Sequence, residues 1–252
     1  MFKIQYKRTG QFDILSQAQF DSFNPSVLDV GDLARDGIIS QCVAAIFDLE
    51  GFTDFCNQID PHLVVPEYLR DFLGWLFSSV AKELTHSREG GSIRLWCQLP
   101  FFAKFLGDGV LFLWDSSSVP KGDLGSLVVS LYEVCRKYKT DYLPKSSMMF
   151  AKIPGRLRCG IARGQVIAIG DGRDYVGACI NAAARLQKLS SLSFAFSRRG
   201  FDLKSQFNHD WWEEFVLIEA GIRGIGSKEL VYVVNDEYAT LSPEEKKRLL
   251  DG

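Results

Sequence analysis

Two aspartates of this chain each lie where an apolar segment breaks at glycine, and they constrain the fold more than any other feature. Residues 43–49 read VAAIFDL and carry Asp48, while residues 104–109 read KFLGDG and place Asp108 between two glycines. A carboxylate at the end of a buried strand costs free energy unless a positive charge or hydrogen-bond donors meet it. Two such carboxylates that the fold brings together indicate a site for divalent cations and hence for a phosphate ester.

The composition is typical of a soluble globular protein. The 252 residues are 46% apolar and 24% charged, and the net charge of -2 gives no general affinity for nucleic acid or an anionic membrane. No apolar run reaches the roughly 18 residues of a membrane span, and no apolar stretch follows the charges of residues 1–8. We therefore expect no signal peptide, no membrane association and a cytoplasmic location.

The cysteines and histidines argue against metal or disulfide frameworks built from them. The six cysteines form no C-x-x-C pair, and several lie in apolar runs, which favours buried, reduced thiols. The three histidines are far apart in the sequence, so a zinc site is not expected.

Apolar periodicity predicts an α+β fold built on a ferredoxin-like unit with an antiparallel sheet. The predicted elements are, in order, strand 43–49, helix 66–84 with Pro66 in its first turn, strands 93–106 and 110–114 joined by a turn at 107–109, helix 124–138 and strand 158–169. This β-α-β-β-α-β order, with right-handed crossovers, puts the third strand antiparallel beside the first. The ends that carry Asp48 and Asp108 are therefore expected to converge.

The remaining segments complete one main domain. We expect a lead-in segment at 1–40, the main domain at 41–236 and a C-terminal surface helix or tail at 237–252. Further predicted elements are a helix at 180–189, strands at 215–218 and 230–234, and a capped, charged helix at 242–250.

Three motifs, in this order along the chain, resemble the catalytic domain of class III nucleotidyl cyclases. They are FDLEGFT at 47–53, KFLGDG at 104–109 and DYVGACINAAAR at 174–185. The resemblance covers about residues 42–234. It implies the class III cyclase fold and the conversion of a nucleoside triphosphate to a 3′,5′-cyclic nucleotide plus pyrophosphate.

The resemblance also implies a set of metal and phosphate ligands. In the family two aspartates and a backbone carbonyl hold two divalent metal ions, which implies that Asp48, Asp108 and the carbonyl of Leu49 bind Mn²⁺ or Mg²⁺. The turn that follows the first aspartate would contact phosphate oxygens at the start of the next helix. Its residues are Glu50, Gly51, Phe52 and Thr53.

The third motif supplies the expected catalytic side chains. Asn181 and Arg185 are four residues apart and share one face of a helix. The resemblance implies that Asn181 orients the ribose, that Arg185 stabilises charge at the α-phosphate, and that Arg223 or Lys228 pairs with the terminal phosphates. Because the family builds each site from two protomers, it also implies a homodimer with shared active sites.

The base is the most open assignment. Lys104 and Asp174 occupy the positions that read adenine in adenylate-forming members, which predicts ATP. The bulky segment 93–102, however, is similar to that of standalone pyrimidine cyclases from bacterial two-gene antiphage systems, whose cyclic UMP or cyclic CMP acts on a separately encoded effector. We therefore expect UTP, with Arg94 near the pyrimidine O2 or O4. The alternative role of the aromatic residues is core packing or a dimer contact.

Two other classes of function compete with an active cyclase. A catalytically silent cyclase-like domain could sense nucleotides, but such a module needs no transition-state arginine, so Arg185 argues against it. A diguanylate cyclase or polymerase would share the β-α-β-β-α-β core, but the Gly-Gly-Asp/Glu-Glu-Phe hairpin is absent from the sequence.

Overall fold

The computed structural model describes residues 7–9, 11–120, 122–189 and 191–251. By their contacts these residues form two units: Met1–Ser40 with Val166–Val176, and Gln41–Gln165 with Gly177–Gly252. The strands are β1 (Lys7–Thr9), β2 (Phe12–Ile14), β3 (Ile38–Glu50), β4 (Thr85–Glu89), β5 (Ser92–Leu95), β6 (Phe102–Phe105), β7 (Gly109–Asp115), β8 (Arg156–Ile169), β9 (Asp174–Val176), β10 (Phe194–Ser197), β11 (Phe215–Ile222) and β12 (Gly226–Val234). The helices are α1 (Gln17–Asp21), α2 (Phe52–Cys56), α3 (Pro61–Glu83), α4 (Asp123–Lys137), α5 (Leu143–Ser146), α6 (Ala178–Leu186), α7 (Leu203–Gln206), α8 (Asn235–Thr240) and α9 (Pro243–Asp251).

The main sheet has the strand order β11-β12-β10-β8-β3-β7-β6. Its β8-β3-β7-β6 part, with α3 and α4 as crossovers, is the predicted ferredoxin-like unit, which is confirmed. Strand β7 pairs antiparallel with β3, so that Asp48 lies opposite Gly109. The end of β3 and the turn before β7 therefore meet at one edge of the sheet.

The hydrophobic core lies between this sheet and helices α3 and α4. In β3 the odd-numbered residues Val43, Ala45 and Phe47 face this core, because side chains alternate along a strand. The even-numbered positions, including Asp48, face the opposite side of the sheet. One face of the sheet thus supplies most of the packing and leaves the other for the site.

Helix α3 begins earlier than predicted. Pro61, rather than Pro66, occupies its first turn, because Asp60 at φ 53° turns the chain directly before it. The ring of Pro61 is preorganised for a helix start. Pro66 lies inside the helix, where its missing N–H removes one backbone hydrogen bond.

The predicted strand 93–106 is wrong as a single element. Residues 92–95 form β5 in a separate hairpin with β4, and only 102–105 join the main sheet as β6. The break has a local cause, because the Trp96 indole donates to the carbonyl of Glu83 at 2.8 Å and the Trp96 amide donates to Leu84 at 3.2 Å. These bonds tie residue 96 to the end of α3.

The last helix follows the prediction. Ser242 and Glu245 cap it reciprocally: the Glu245 amide donates to the Ser242 hydroxyl at 3.2 Å, and the Ser242 amide donates to the Glu245 carboxylate at 2.9 Å. In addition, Leu249 is buried, and α9 packs against β11. The predicted surface helix is therefore anchored to the sheet.

The smaller unit contains two hairpins. Strands β1 and β2 pair with each other, and β9 pairs with the last residues of β8, so that Asp174 lies opposite Ile169. Large apolar side chains of this unit remain exposed; Leu28 and Leu33 are 70% and 54% exposed. The predicted lead-in segment 1–40 thus groups with the hairpin that contains Asp174.

A search of the described residues for a helix long and apolar enough to cross a bilayer found none.

We predict that Gly160→Ala destabilises the protein. A β-carbon at this position of β8 would overlap the carbonyl oxygen of Ala183 and the amide of Gln187, so α6 would have to move away from the sheet. Urea unfolding should show a loss of about 1–3 kcal/mol. The control Gly155→Ala has nothing within 4 Å of its new β-carbon and should change stability by less than about 0.5 kcal/mol. Equal effects would contradict close packing of α6.

Candidate active site

The backbone brings the two strand-end aspartates together. The amide of Leu49, which follows Asp48, donates to the carbonyl of Asp108 at 3.0 Å. The next residue must be glycine, because a β-carbon on Gly109 would overlap the carbonyl oxygen of Phe47. The turn closes with a hydrogen bond from the Leu106 amide to the carbonyl oxygen of Gly109 at 2.8 Å. The predicted convergence of the two aspartates is confirmed at the level of the backbone.

Asp48 is a buried carboxylate that already attracts positive charge. It is 4% exposed, and Nη2 of Arg158 in β8 donates to its Oδ2 at 2.5 Å. Burial raises the pKa of Asp48, and the Asp108 carboxylate raises it further, while Arg158 and Lys188 oppose both effects. The cation contacts offset only part of the cost of burying this charge.

Glu50 extends this set of charges beyond the strand end. Nε of Arg156 lies 3.2 Å from its carboxylate, and Nη1 of Arg158 lies 3.9 Å from it. Arg158 therefore faces two carboxylates, Asp48 and Glu50. The Nε atom of Arg158 is buried without a hydrogen-bond partner among the described residues.

Lys104 shares a sheet face with Asp48. In the antiparallel ladder Lys104 pairs with Leu111, and Leu111 pairs with Ile46, two residues before Asp48. Directly paired residues point to the same side of a sheet, as do residues two apart on one strand. Lys104 is exposed on β6, and Phe102 lies two residues before it on the same face.

Phe102 lies toward the end of its strand that is far from Asp48. Phe102 pairs with Leu113, and Leu113 pairs with Ala44, four residues before Asp48. Four residues of strand span about 13 Å. Arg94 lies in β5 of the separate hairpin, opposite Ser87. Its contact with a base stays a prediction.

Helix α6 exposes the two candidate catalytic side chains of the third motif. Its buried residues are Cys179, Ala183 and Leu186, which form the stripe that faces the sheet. Asn181 and Arg185 are both exposed on another face, one turn apart. Within one chain these side chains face outward.

The other predicted ligands lie in turns. Gly51 adopts φ 87° and precedes the short helix α2, whose first residues are the half-buried Phe52 and the exposed Thr53. Arg223 is exposed in the turn between β11 and β12. Asp174 is the first residue of β9 in the smaller unit, where it accepts a hydrogen bond from the Tyr175 amide at 2.9 Å. Their contacts with a nucleotide stay predictions.

Sequence reasoning missed Arg158, Arg156 and Lys188. Arg158 was findable, because it lies at the start of a predicted apolar strand. The ferredoxin-like order also places that strand beside the first one. A positive charge there faces the carboxylate at the end of its neighbour. Lys188 carries no comparable signal, since it follows α6 in an exposed turn.

Within the described ranges, no three His, Cys, Asp or Glu side chains come together as a metal site. The donors at the strand edge are instead two carboxylates and the backbone between them. All are hard oxygen donors, of the kind that Mg²⁺ and Mn²⁺ prefer.

Comparison with known proteins assigns the fold. No protein-family model matches the sequence, and no curated protein matches it. Among solved structures, the adenylyl cyclase CyaB from P. aeruginosa matches with a TM-score of 0.58 and 17% identity, over 82% of this chain and 100% of that chain. The guanylyl cyclase Cya2 matches with a TM-score of 0.55 and 18% identity, over 79% of this chain and 94% of that chain. The chain has the α+β class III cyclase fold.

A third match is the guanylate cyclase domain of RhGC from Catenaria anguillulae in complex with GTP. Its TM-score is 0.50 and its identity 18%, over 79% of this chain and 98% of that chain. At these identities the matches show the fold alone.

We predict that Arg158→Met destabilises the metal-free protein far more than Arg156→Met does. The first change leaves buried Asp48 without its cation, which costs about 3 kcal/mol or more. The second removes an ion pair whose side chains are 41% and 38% exposed and a hydrogen bond from Arg156 to the carbonyl of Ser191, together worth less than about 2 kcal/mol. Urea unfolding in the presence of EDTA measures both. Similar losses would show that Asp48 does not depend on Arg158.

Proposed function

We propose that this protein is a nucleotidyl cyclase that converts a nucleoside triphosphate to a 3′,5′-cyclic nucleotide and pyrophosphate. The observation that carries the proposal is the buried Asp48 carboxylate beside Asp108, at the strand edge of a cyclase fold. Burial and the neighbouring carboxylate both raise the pKa of Asp48. A site of that charge favours a bound cation, and cyclisation is chemistry that divalent cations assist.

Asp48, Asp108 and the carbonyl of Leu49 would hold two divalent metal ions, Mg²⁺ or Mn²⁺. The donor set fits, since it offers hard oxygen ligands and places two carboxylates close together, one of them buried. When bound, the ions would lower the pKa of the ribose 3′-hydroxyl and neutralise the triphosphate. The chain's own residues supply the remaining functions.

Arg158 would change partners when the site fills. In the structure its guanidinium pairs with Asp48 and lies close to Glu50. Cations at Asp48 would compete for that carboxylate, and the released guanidinium would then face the phosphates of the nucleotide. A planar donor fork suits such bidentate pairing. Glu50 would keep Arg156 in place beside it, and the amides of Gly51, Phe52 and Thr53 would contact phosphate oxygens.

Asn181 and Arg185 would act across a dimer interface. Asn181 would hydrogen-bond the ribose, and Arg185 would stabilise the charge that develops on the α-phosphate during attack. Their exposure on one face of α6 supports a role in the site of the partner protomer. Arg223, in the exposed turn after β11, would pair with the terminal phosphates.

For the base we propose UTP, read by Lys104 and Asp174, with ATP or CTP as alternatives. Lys104 can donate to a ring acceptor, and Asp174 can accept from an amine or imide N–H. Of the bulky segment, Phe102 is placed to restrict the base, because it lies on the same sheet face as Lys104. Arg94 would approach the pyrimidine O2 or O4. On this proposal cyclic UMP is an antiphage second messenger for a separately encoded effector, as in the systems that the chain resembles.

We predict that the protein forms cyclic UMP when incubated with UTP and Mn²⁺. Separate reactions with ATP, GTP, CTP and UTP, read by mass spectrometry, test the reaction and the base together. Cyclic AMP as the sole product would keep the cyclase and refute the pyrimidine assignment. No cyclic product from any of the four would refute the cyclase and favour a nucleotide-sensing module.

Variants of the two aspartates test the proposed metal ligands in the same assay. Asp48→Asn and Asp108→Asn should each lower turnover by about a hundredfold or more, because each removes a charged ligand. Asp54→Asn, which changes an exposed aspartate of α2, is the matched control and should keep near-normal turnover. Circular dichroism must show that all three variants fold.

We predict that two inactive variants restore activity when they are mixed. Asp48→Asn lacks a metal ligand, and Arg185→Ala lacks the group that acts from the other protomer. A heterodimer of the two holds one intact site, so after exchange an equal mixture should recover about a quarter of wild-type turnover. Recovery in the mixture, with none in either variant alone, tests the shared site. An inactive mixture that forms heterodimers would refute it.

A further inference from the structure

Residues 29–37 lie against the hairpin that carries Asp174. The contact is made by backbone: a β-carbon on Gly31 would overlap the carbonyl oxygen of Gly170, and one on Gly170 would overlap the carbonyl of Val30. A β-carbon on Gly37 would likewise overlap the side chain of Ile167. Glycine at these positions lets two segments far apart in sequence approach to backbone distance.

Two ion pairs flank this backbone contact. Nη1 of Arg35 lies 3.0 Å from the carboxylate of Asp171, and Nη1 of Arg173 lies 2.7 Å from that of Asp29. Each segment gives one cation and one anion, so the pairing fixes which part of the N-terminal segment meets the turn. Exposed pairs of this kind contribute little free energy individually, and here they select the register of a close contact.

The hairpin needs such support. The ladder between β8 and β9 has three residue pairs, and its turn places Gly170, Asp171 and Gly172 at φ 56°, 59° and 83°. Strand β9 pairs with β8 of the main sheet and with no other described strand, so these three residue pairs are a weak attachment. Asp174 is the first residue after the turn region to enter the ladder, so any opening of the turn moves its side chain.

We propose that residues 29–37 brace the Ile169–Asp174 hairpin and thereby set the base selectivity of the cyclase. The second half of this inference rests on the proposed function, in which Asp174 reads the base. The N-terminal segment, which the sequence presents as a lead-in, becomes a positioning element. Since Leu28 and Leu33 are exposed, the brace acts through backbone proximity and charge pairing rather than through an apolar core.

Gly31→Ala breaks the brace without changing a residue of the hairpin, because its new β-carbon would overlap the backbone of Gly170. It should raise hydrogen exchange of amides 168–175 by about tenfold. It should also lower the ratio of kcat/KM for the preferred nucleoside triphosphate to that for the next best by about tenfold. Gly91→Ala is the matched control. Both glycines have φ near +80°, at 81° and 79°, but Gly91 has nothing within 4 Å of a new β-carbon.

A milder pair of substitutions separates the ion pairs from the backbone contact. Asp29 and Asp171 both adopt left-handed φ values, which asparagine tolerates, so Asp29→Asn with Asp171→Asn removes charge and keeps the backbone preference. The double variant should shift exchange and selectivity in the same direction as Gly31→Ala, by a smaller factor. Asp13→Asn, which removes the charge of a third exposed pair, should change neither.

The outcomes separate the brace from the proposed function. Unchanged exchange at 168–175 in Gly31→Ala would overturn the brace, whatever the enzyme does. Faster exchange with an unchanged kcat/KM ratio would show that the hairpin does not set the base. A wild-type protein that cyclises none of the four nucleotides would refute the proposed function and the base-selecting half, while exchange would still decide the contact.

Discussion

The buried carboxylate of Asp48 is the constraint on which the rest of the site depends. Burial makes its charge costly, and the neighbouring Asp108 makes it costlier, so the fold must hold positive charge nearby. Arg158 supplies that charge from the neighbouring strand β8, which explains why an arginine lies among buried residues near the start of that strand. Under the proposed function, Arg158 would give up this carboxylate to bound divalent cations.

The strands around this charge were predictable from the sequence because two independent signals agreed. The apolar run before Asp48 and the glycines around Asp108 each predict an element end, and the crossover rule then joins them. Segment 93–102 was harder, because strand-forming residues also suit a hairpin or a loop that packs inward. What decides there is a tertiary hydrogen bond from Trp96 to Glu83, and periodicity contains no information about such a bond.

The site residues likewise divide into those that the sequence could place and those that it could not. Asp48 and Asp108 could be placed beside each other from topology, and Asn181 and Arg185 on one helix face from spacing. The N-terminal contact with Gly170 could not be predicted, since it joins residues that are more than a hundred positions apart. Its only sequence signal is glycine, and glycine in a loop has several uses.

The structure also separates the groups proposed for chemistry from those proposed for base recognition. Asp48 is buried and Arg158 largely buried, and the ion pair between them joins two central strands of the sheet, β3 and β8, which fixes their positions. Lys104 lies exposed on an edge strand, and Asp174 belongs to a short hairpin with a left-handed turn. Substitutions around Lys104 and Asp174 disturb little packing. A change of the proposed base specificity should therefore lower the stability of the fold far less than a change of the proposed reaction. Under the proposed function, we therefore expect base selectivity to be the property that substitutions alter with the smallest loss of stability.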